Sequence, residues 1–228
     1  MKSILLALLL SITAFRGYSQ KNNLVGIFAG GGIATSSNYD VSLSGGLDIA
    51  KGLSPRSFVG VELFYQQFSL LYDNEALGAK NATGSAGEIL RHKSAYAFIA
   101  PKFRFCAGRK QNVHFYFNAG IGMNMGGYDS LRRFSSVPTP GGFIRADTTI
   151  DQSENINSMV LRVGVGCTQY MPIGRRWRFT LTEDLGFLPG SLTKTSDYSD
   201  VSRTTYSPGK LNPTYFSVRL GISRTRFP

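Results

Sequence analysis

The chain is poor in the residues that build most catalytic and metal centres. Two cysteines in 228 residues exclude a disulfide scaffold and a four-cysteine zinc site. Two histidines, His92 and His114, leave little for an imidazole cluster. Only 17 % of residues are charged, which with 42 % hydrophobic residues argues against disorder. The 26 glycines follow no G-x-y period, so the chain is not collagen-like. Past the N-terminus no apolar run approaches the ~20 residues of a spanning helix. Acids are scarce relative to bases, 14 against 25, which gives a formal charge of +11. The length fits one domain or two small ones.

The first residues read as an export signal. Lys2 is a short positive start, Ile4 to Phe15 is an apolar stretch too short to span comfortably, and Gly17 and Ser19 are small residues at the positions a signal peptidase reads. Cleavage is expected after Ser19, giving a signal peptide at 1–19 and one barrel domain at 20–228. Loss of Lys2 and Arg16 lowers the formal charge from +11 to +9.

The mature chain is a series of period-2 segments with apolar residues on one parity. Eight are expected: Leu24–Ala34, Val41–Ala50, Ser57–Tyr72, His92–Cys106, Val113–Gly126, Asn157–Tyr170, Trp177–Leu188 and Thr214–Arg226. The connections after the second, fourth and sixth are short and polar (51–56, 107–112, 171–176). Those after the third, fifth and seventh are long (73–91, 127–156, 189–213). An even number of strands with short turns at one end and long loops at the other predicts an all-β, eight-stranded antiparallel up-and-down transmembrane β-barrel.

The two parities differ in chemistry. Phe216, Val218, Leu220 and Ile222 alternate with Ser217, Arg219, Gly221 and Ser223; Phe115, Phe117, Ala119 and Ile121 alternate with Tyr116, Asn118, Gly120 and Gly122. Small and polar residues suit a crowded interior, and large apolar ones suit lipid. Closure would pair every backbone polar group, as lipid demands. Phe103, Phe105, Phe115, Trp177 and Phe179 fall near the short-turn ends. Tyr39, Tyr72, Phe187 and Tyr215 fall near the loop ends. Together they predict two interfacial aromatic girdles.

Charge divides in the same way. Lys51, Arg56, Arg109, Lys110, Arg175, Arg176, Arg224 and Arg226 gather in the turns and at the chain end, facing anionic head groups. In the long loops nine acids face eight bases. Arg132, Arg133 and Arg145 there suit lipopolysaccharide phosphates. Nucleic acid is not expected as a partner of an exported chain whose bases sit in tight turns. The lumen parity carries Asp48, Glu62, Lys102, Arg104, Arg162, Arg178, Asp184 and Arg219. In so narrow a barrel these must pair, because an unpaired buried charge is costly. Glu62 is expected between Arg104 and another base, the set forming a plug rather than a selective pore. Glu183 fits poorly: alternation points it at lipid, so a bulge or a place at the outer rim is expected.

No reaction is legible. The histidines are expected near opposite ends of the barrel, only His92 near the outer rim, and no triad spacing stands out. Cys106 and Cys167 fall on opposite parities, lumen and lipid, so no disulfide is expected. Gly30-Gly31-Gly32 lies within a strand with no helix after it, so it is no phosphate loop and instead permits a bend or close approach. No catalytic set, metal or cofactor is expected. A non-enzymatic structural or surface-interaction role is favoured over a narrow pore or an enzyme acting on lipid or peptide.

The signal ending in Ser19-Gln20, the strand Gly60-Val61-Glu62-Leu63-Phe64-Tyr65 and the strand Tyr96-Ala97-Phe98-Ile99-Ala100-Pro101-Lys102-Phe103-Arg104-Phe105 resemble the small outer-membrane β-barrel proteins of Bacteroidota, the PorT-like and OmpA-like eight-stranded group. The resemblance covers the whole mature chain. It implies an outer-membrane location and delivery by the barrel-assembly machinery, which reads an aromatic residue near the C-terminus, here Phe227. It names no ligand and no oligomeric state.

Overall fold

The computed structural model describes residues 23–34, 42–54, 56–73, 85–107, 112–194, 198–199, 205–206 and 214–225. The signal segment, Tyr39, Arg109, Lys110, Arg226 and Phe227 lie outside them, as does the side chain of Tyr72. The described residues form β1 (Asn23–Ala34), β2 (Ser42–Ser54), β3 (Ser57–Asp73), β4 (Ser85–Ala107), β5 (Val113–Thr139), β6 (Gly142–Asp151), β7 (Met159–Pro172), β8 (Trp177–Phe187), β9 (Tyr198–Ser199), β10 (Thr205–Tyr206) and β11 (Thr214–Thr225).

Eight of these close a barrel in the order β1-β2-β3-β4-β5-β7-β8-β11. The seam is an antiparallel β1–β11 pair running from Leu24↔Thr225 to Ala34↔Tyr215. Every barrel strand therefore has two neighbours and no edge is left open to lipid, which has no water to satisfy free backbone groups.

All three expected long loops contain paired strand, the third only the short β9–β10 pair, Thr205↔Ser199 and Tyr206↔Tyr198. β4 begins at Ser85 rather than near His92, and β5 runs to Thr139 rather than ending near Gly126. Their outer halves pair from Ser94↔Gly127 to Ser85↔Ser136, and β6 adds a third strand on β5. Apolar and polar residues are mixed on both parities there, with Ile89 and Leu90 both buried and adjacent, which hides this extension from a pattern search. A 3-10 turn at Ser153–Asn155 then returns the chain to β7.

A bulge controls which face of β5 looks inward. Ala95 pairs with Gly126 but Tyr96 pairs with Asn124, leaving Met125 over, and Gly126 has φ 138°. Before the bulge even-numbered residues (His114, Tyr116, Asn118) are buried; beyond it odd-numbered ones (Asp129, Leu131) are. The extra residue shifts a period of two by one and exchanges the faces.

The outside is apolar. Ile27, Leu43, Ile99, Phe103, Phe117, Ile121, Leu161, Val165, Leu185, Val218 and Leu220 are all exposed. Such a continuous belt is far larger than the apolar patches of water-soluble monomers. Phe103 pairs with Phe117 and Phe105 with Phe115. Trp177 and Phe187 also face out, while Phe179 is half-buried on the same face, beside Ile222 and Met171. Tyr215 departs from the girdle expectation: it is 1 % exposed and points into the barrel. Putting a guanidinium into this belt, as in Ile121→Arg, is expected to cost about 2–4 kcal/mol of folding stability in lipid vesicles. Urea titration against wild type measures it.

Candidate functional site

The lumen is filled by ionic side chains from six strands. Asp48 (β2) pairs with Arg104 (β4) and lies 3.6 Å from Lys102 Nζ. Glu62 (β3) lies 2.6 Å from Arg219 (β11) and 3.5 Å from Lys102, and accepts a hydrogen bond from Asn118 Nδ2 at 2.9 Å. Asp184 (β8) pairs with Arg162 (β7), lies 3.2 Å from Arg219 and accepts from the Tyr116 hydroxyl at 2.8 Å. Arg219 thus bridges two acids. Arg162 also donates to Tyr215 Oη at 2.6 Å and to Asn118 Oδ1 at 2.5 Å, and Arg104 donates to Tyr170 Oη at 2.6 Å.

Aromatic faces take up the rest of the positive charge. Lys102 Nζ sits 3.7 Å from the Tyr116 ring centre, Arg219 lies over Phe28 at 4.8 Å and Arg162 over Phe64 at 5.1 Å. Phe64 stacks on Phe98 at 4.9 Å between centroids. Cation–π contact is strongest where water is excluded, and Glu62, Lys102, Arg162, Asp184 and Arg219 are each 1–2 % exposed.

Seven of the eight expected lumen charges meet in this network, but not in every expected pairing. Arg104 serves Asp48, and the bases on Glu62 are Arg219 and Lys102. The stagger of strands around a closed barrel, not sequence order, decides which charges share a level. Arg178 stands apart. It is half-exposed at the first turn of β8 and donates to the Gly174 and Trp177 carbonyls. The tyrosines 116, 170 and 215 and Asn118 complete the network, and only their place on the inward parity signalled it.

Glycines make the room. A Cβ at Gly164 would lie 2.5 Å from Asn118 Oδ1 and 2.7 Å from Arg162 Nη1. One at Gly30 would strike the Val218 carbonyl oxygen and lie 2.6 Å from Arg219 Cα and 2.8 Å from its Cγ. The Gly30-Gly31-Gly32 run therefore provides close approach at the β1–β11 seam.

A second buried cluster lies at the loop end. His92 and Ser94 share the inward face of β4, and the β5 bulge turns Asp129 inward opposite His92. His92 Nε2 is 2.8 Å from Ser94 Oγ and its Nδ1 is 3.3 Å from Asp129 Oδ1. The Asn155 side chain donates to Asp129 Oδ2 at 2.8 Å. His114, near the other end, stacks on Phe58 with centroids 5.1 Å apart.

Glu183 matches neither expectation for it. β8 pairs with β7 and β11 without a register shift, so no bulge intervenes. The side chain is exposed on the lipid face, opposite Cys167 and Val218. With Phe115, Val165, Leu185 and Phe216 it borders an open groove of about 460 Å³. Cys106 is buried inside the barrel and Cys167 lies on the outer face, and both thiols are free.

An apolar exterior, a charged interior and a backbone closed on itself invert the arrangement of a water-soluble barrel. They define a membrane-spanning β-barrel of the bacterial outer-membrane type.

No family model matches the sequence, and no curated protein is detectably similar to it. The solved structures that share the fold include three outer-membrane or surface proteins. A major outer membrane protein from Thermus thermophilus is 12 % identical with a TM-score of 0.44, over 89 % of this chain and 99 % of that one. Neisserial surface protein A is 10 % identical with a TM-score of 0.40, over 90 % and 97 %. Ail, the attachment invasion locus protein of Yersinia pestis, is 9 % identical with a TM-score of 0.37, over 90 % and 99 %. At these values the likenesses carry no argument about what this chain does.

Proposed function

We propose that the protein is a sealed outer-membrane barrel whose lumen serves as a rigid plug, with a structural or surface-interaction role carried by its outer end. The ring joining Asp48, Glu62 and Asp184 to Lys102, Arg104, Arg162 and Arg219 carries this reading. The cavity left beside it measures about 20 Å³. Such a space holds about one water molecule and gives no continuous path for a hydrated ion.

Membrane contacts follow from the surface. Lys51, Arg56, Arg175, Arg176 and Arg224 are exposed at the short-turn end, where they suit anionic head groups of the inner leaflet. Lipopolysaccharide at the opposite leaflet, export through the 1–19 signal, delivery by the barrel-assembly machinery and membership of the PorT-like group of Bacteroidota belong to the same reading.

Planar-bilayer recording tests it. The purified barrel is expected to give no discrete conductance steps at 1 M salt, about the level that screens surface charge to within 3 Å. Reproducible steps from the wild-type protein would replace the plug with a narrow pore.

A further inference from the structure

The cluster at the loop end has the parts of a nucleophilic hydrolase. From its geometry we propose that Ser94, His92 and Asp129 form a hydrolytic site for carboxylic esters of apolar acyl chains. The proposal is independent of whether the lumen below conducts.

Nucleophilic hydrolysis needs a hydroxyl against a base, and the base held by a third group. Ser94 Oγ lies 2.8 Å from His92 Nε2, within proton-transfer distance. Asp129 at 3.3 Å from Nδ1 fixes the tautomer whose Nε2 is free to accept. Asp129 is itself held on both sides. Its Oδ2 accepts from Asn155 Nδ2 at 2.8 Å and its carbonyl accepts from Gln152 N at 2.8 Å. Strand geometry supplies the rest: β4 places His92 and Ser94 on one face, and the Met125–Gly126 bulge brings Asp129 into register.

An oxyanion needs a donor with spare capacity. Asn124 Nδ2 is buried and carries two N–H bonds, of which the Tyr96 hydroxyl takes at most one. Its residue pairs with Tyr96, two positions along β4 from Ser94, and both flank the Tyr96 hydroxyl.

The surroundings suit an acyl chain. Leu90, Leu131, Ile150, Ile156 and Leu192 are all buried in the same cluster. Ala107 lies thirteen residue steps along β4 from Ser94, which places Ser94 roughly 30 Å from the short-turn end, given ~3.3 Å per residue and ~40° of tilt. That is the height of the outer head groups, where acyl esters sit above a hydrocarbon band ~25 Å tall.

Two short segments lie against the Tyr96 hydroxyl, which donates to the Asn157 carbonyl at 3.0 Å and to the Leu192 carbonyl at 3.5 Å. Asn157 N donates to the Leu192 carbonyl at 2.9 Å and Lys194 N to that of Asn155 at 2.6 Å. Asn157 Nδ2 donates to the Ser191 and Thr193 carbonyls at 2.7 and 3.0 Å. These bonds join two short irregular segments, and the substrate enters when they part. Ser94 Oγ then attacks the ester carbonyl and its proton passes to His92 Nε2. The C–O bond to the alcohol breaks and the alcohol leaves with that proton, giving an acyl-serine. Water attacks in turn through His92, releasing the carboxylic acid and restoring Ser94.

A fluorophosphonate probe on the full-length barrel in micelles tests this, with heat-modifiable migration on gels reporting the fold. Labelling is expected at Ser94 by peptide mass spectrometry, absent in Ser94→Ala and at least ~100-fold slower in His92→Gln. Asn157→Ala, which loosens the joined segments, is expected to label faster than wild type. Turnover of p-nitrophenyl butyrate would indicate a soluble ester and turnover of phospholipid in mixed micelles a lipid ester; Ser94-dependence of either supports the site. With either substrate Asn124→Ala is expected to lower kcat ~100-fold at unchanged KM. Folded wild type and folded Asn157→Ala that both stay unlabelled, or labelling that survives Ser94→Ala, would overturn it.

Discussion

Arg219→Leu is expected to lose about 3–5 kcal/mol of folding stability in detergent micelles or vesicles, the usual consequence of removing one partner from a buried ionic group. Arg219 is 2 % exposed, pairs with Glu62 and Asp184 and accepts no substitute from solvent. Without it Glu62 keeps Lys102 at 3.5 Å and the Asn118 amide, while Asp184 keeps Arg162 and Tyr116. The Arg219→Leu/Glu62→Gln double variant removes the stranded charge with its partner. It is expected to recover about half of the loss, since uncompensated charge and not lost attraction dominates such a penalty. Equal losses in the single and double variants, read from urea midpoints, would show that the network contributes packing alone.

Gly30→Val is expected to prevent closure rather than soften it. The first atom of any side chain at Gly30 meets the Val218 carbonyl and the backbone of Arg219 across the β1–β11 seam. Those atoms belong to backbone and cannot swing aside. Overpacking typically costs about 1–3 kcal/mol where neighbours can shift, and backbone at a closing seam cannot, so the cost here exceeds that range. The variant is expected to run on gels as the unfolded species without heating. Gly141→Val is the control, because a Cβ there has open space around it, and it should fold like wild type.

Much of the architecture is written in the alternation. Phe216, Val218, Leu220 and Ile222 are exposed on one face of β11, and Ser217, Arg219 and Ser223 are buried on the other. Lipid on one side and a crowded lumen on the other impose opposite chemistry on odd and even residues, so the inside and outside of the barrel separate without coordinates. β3 obscures the pattern, since Phe58, Phe64 and Phe68 are buried inside while Val59, Val61 and Tyr65 are exposed outside. Here the lumen uses rings as well as charges.

What the alternation does not carry is height and shift. The exchange of Arg104 for Arg219 beside Glu62 depends on how far neighbouring strands slide, a property of the closed cylinder. Asp129 reads as one more loop acid until one surplus residue at Met125 turns it toward His92. The adjacent glycines 126 and 127 were the available clue, with φ 138° at the first. Tyr215 reads as an interfacial ring because tyrosine is common there. Its hydroxyl instead receives Arg162 at 2.6 Å.

β5 is 27 residues long, against the roughly 10 that a tilted strand needs to cross a bilayer. Its outer half is hydrogen-bonded to β4 on one side and to β6 on the other. A braced ribbon resists bending where a lone strand of chain would collapse onto the bilayer. The turn between β5 and β6 is therefore held aloft like the top of a mast, about 40 Å along the strand from Gly127 at ~3.3 Å per residue. Substitutions at that tip lie far along the ribbon from the ionic plug, so they should leave the wall beneath it undisturbed.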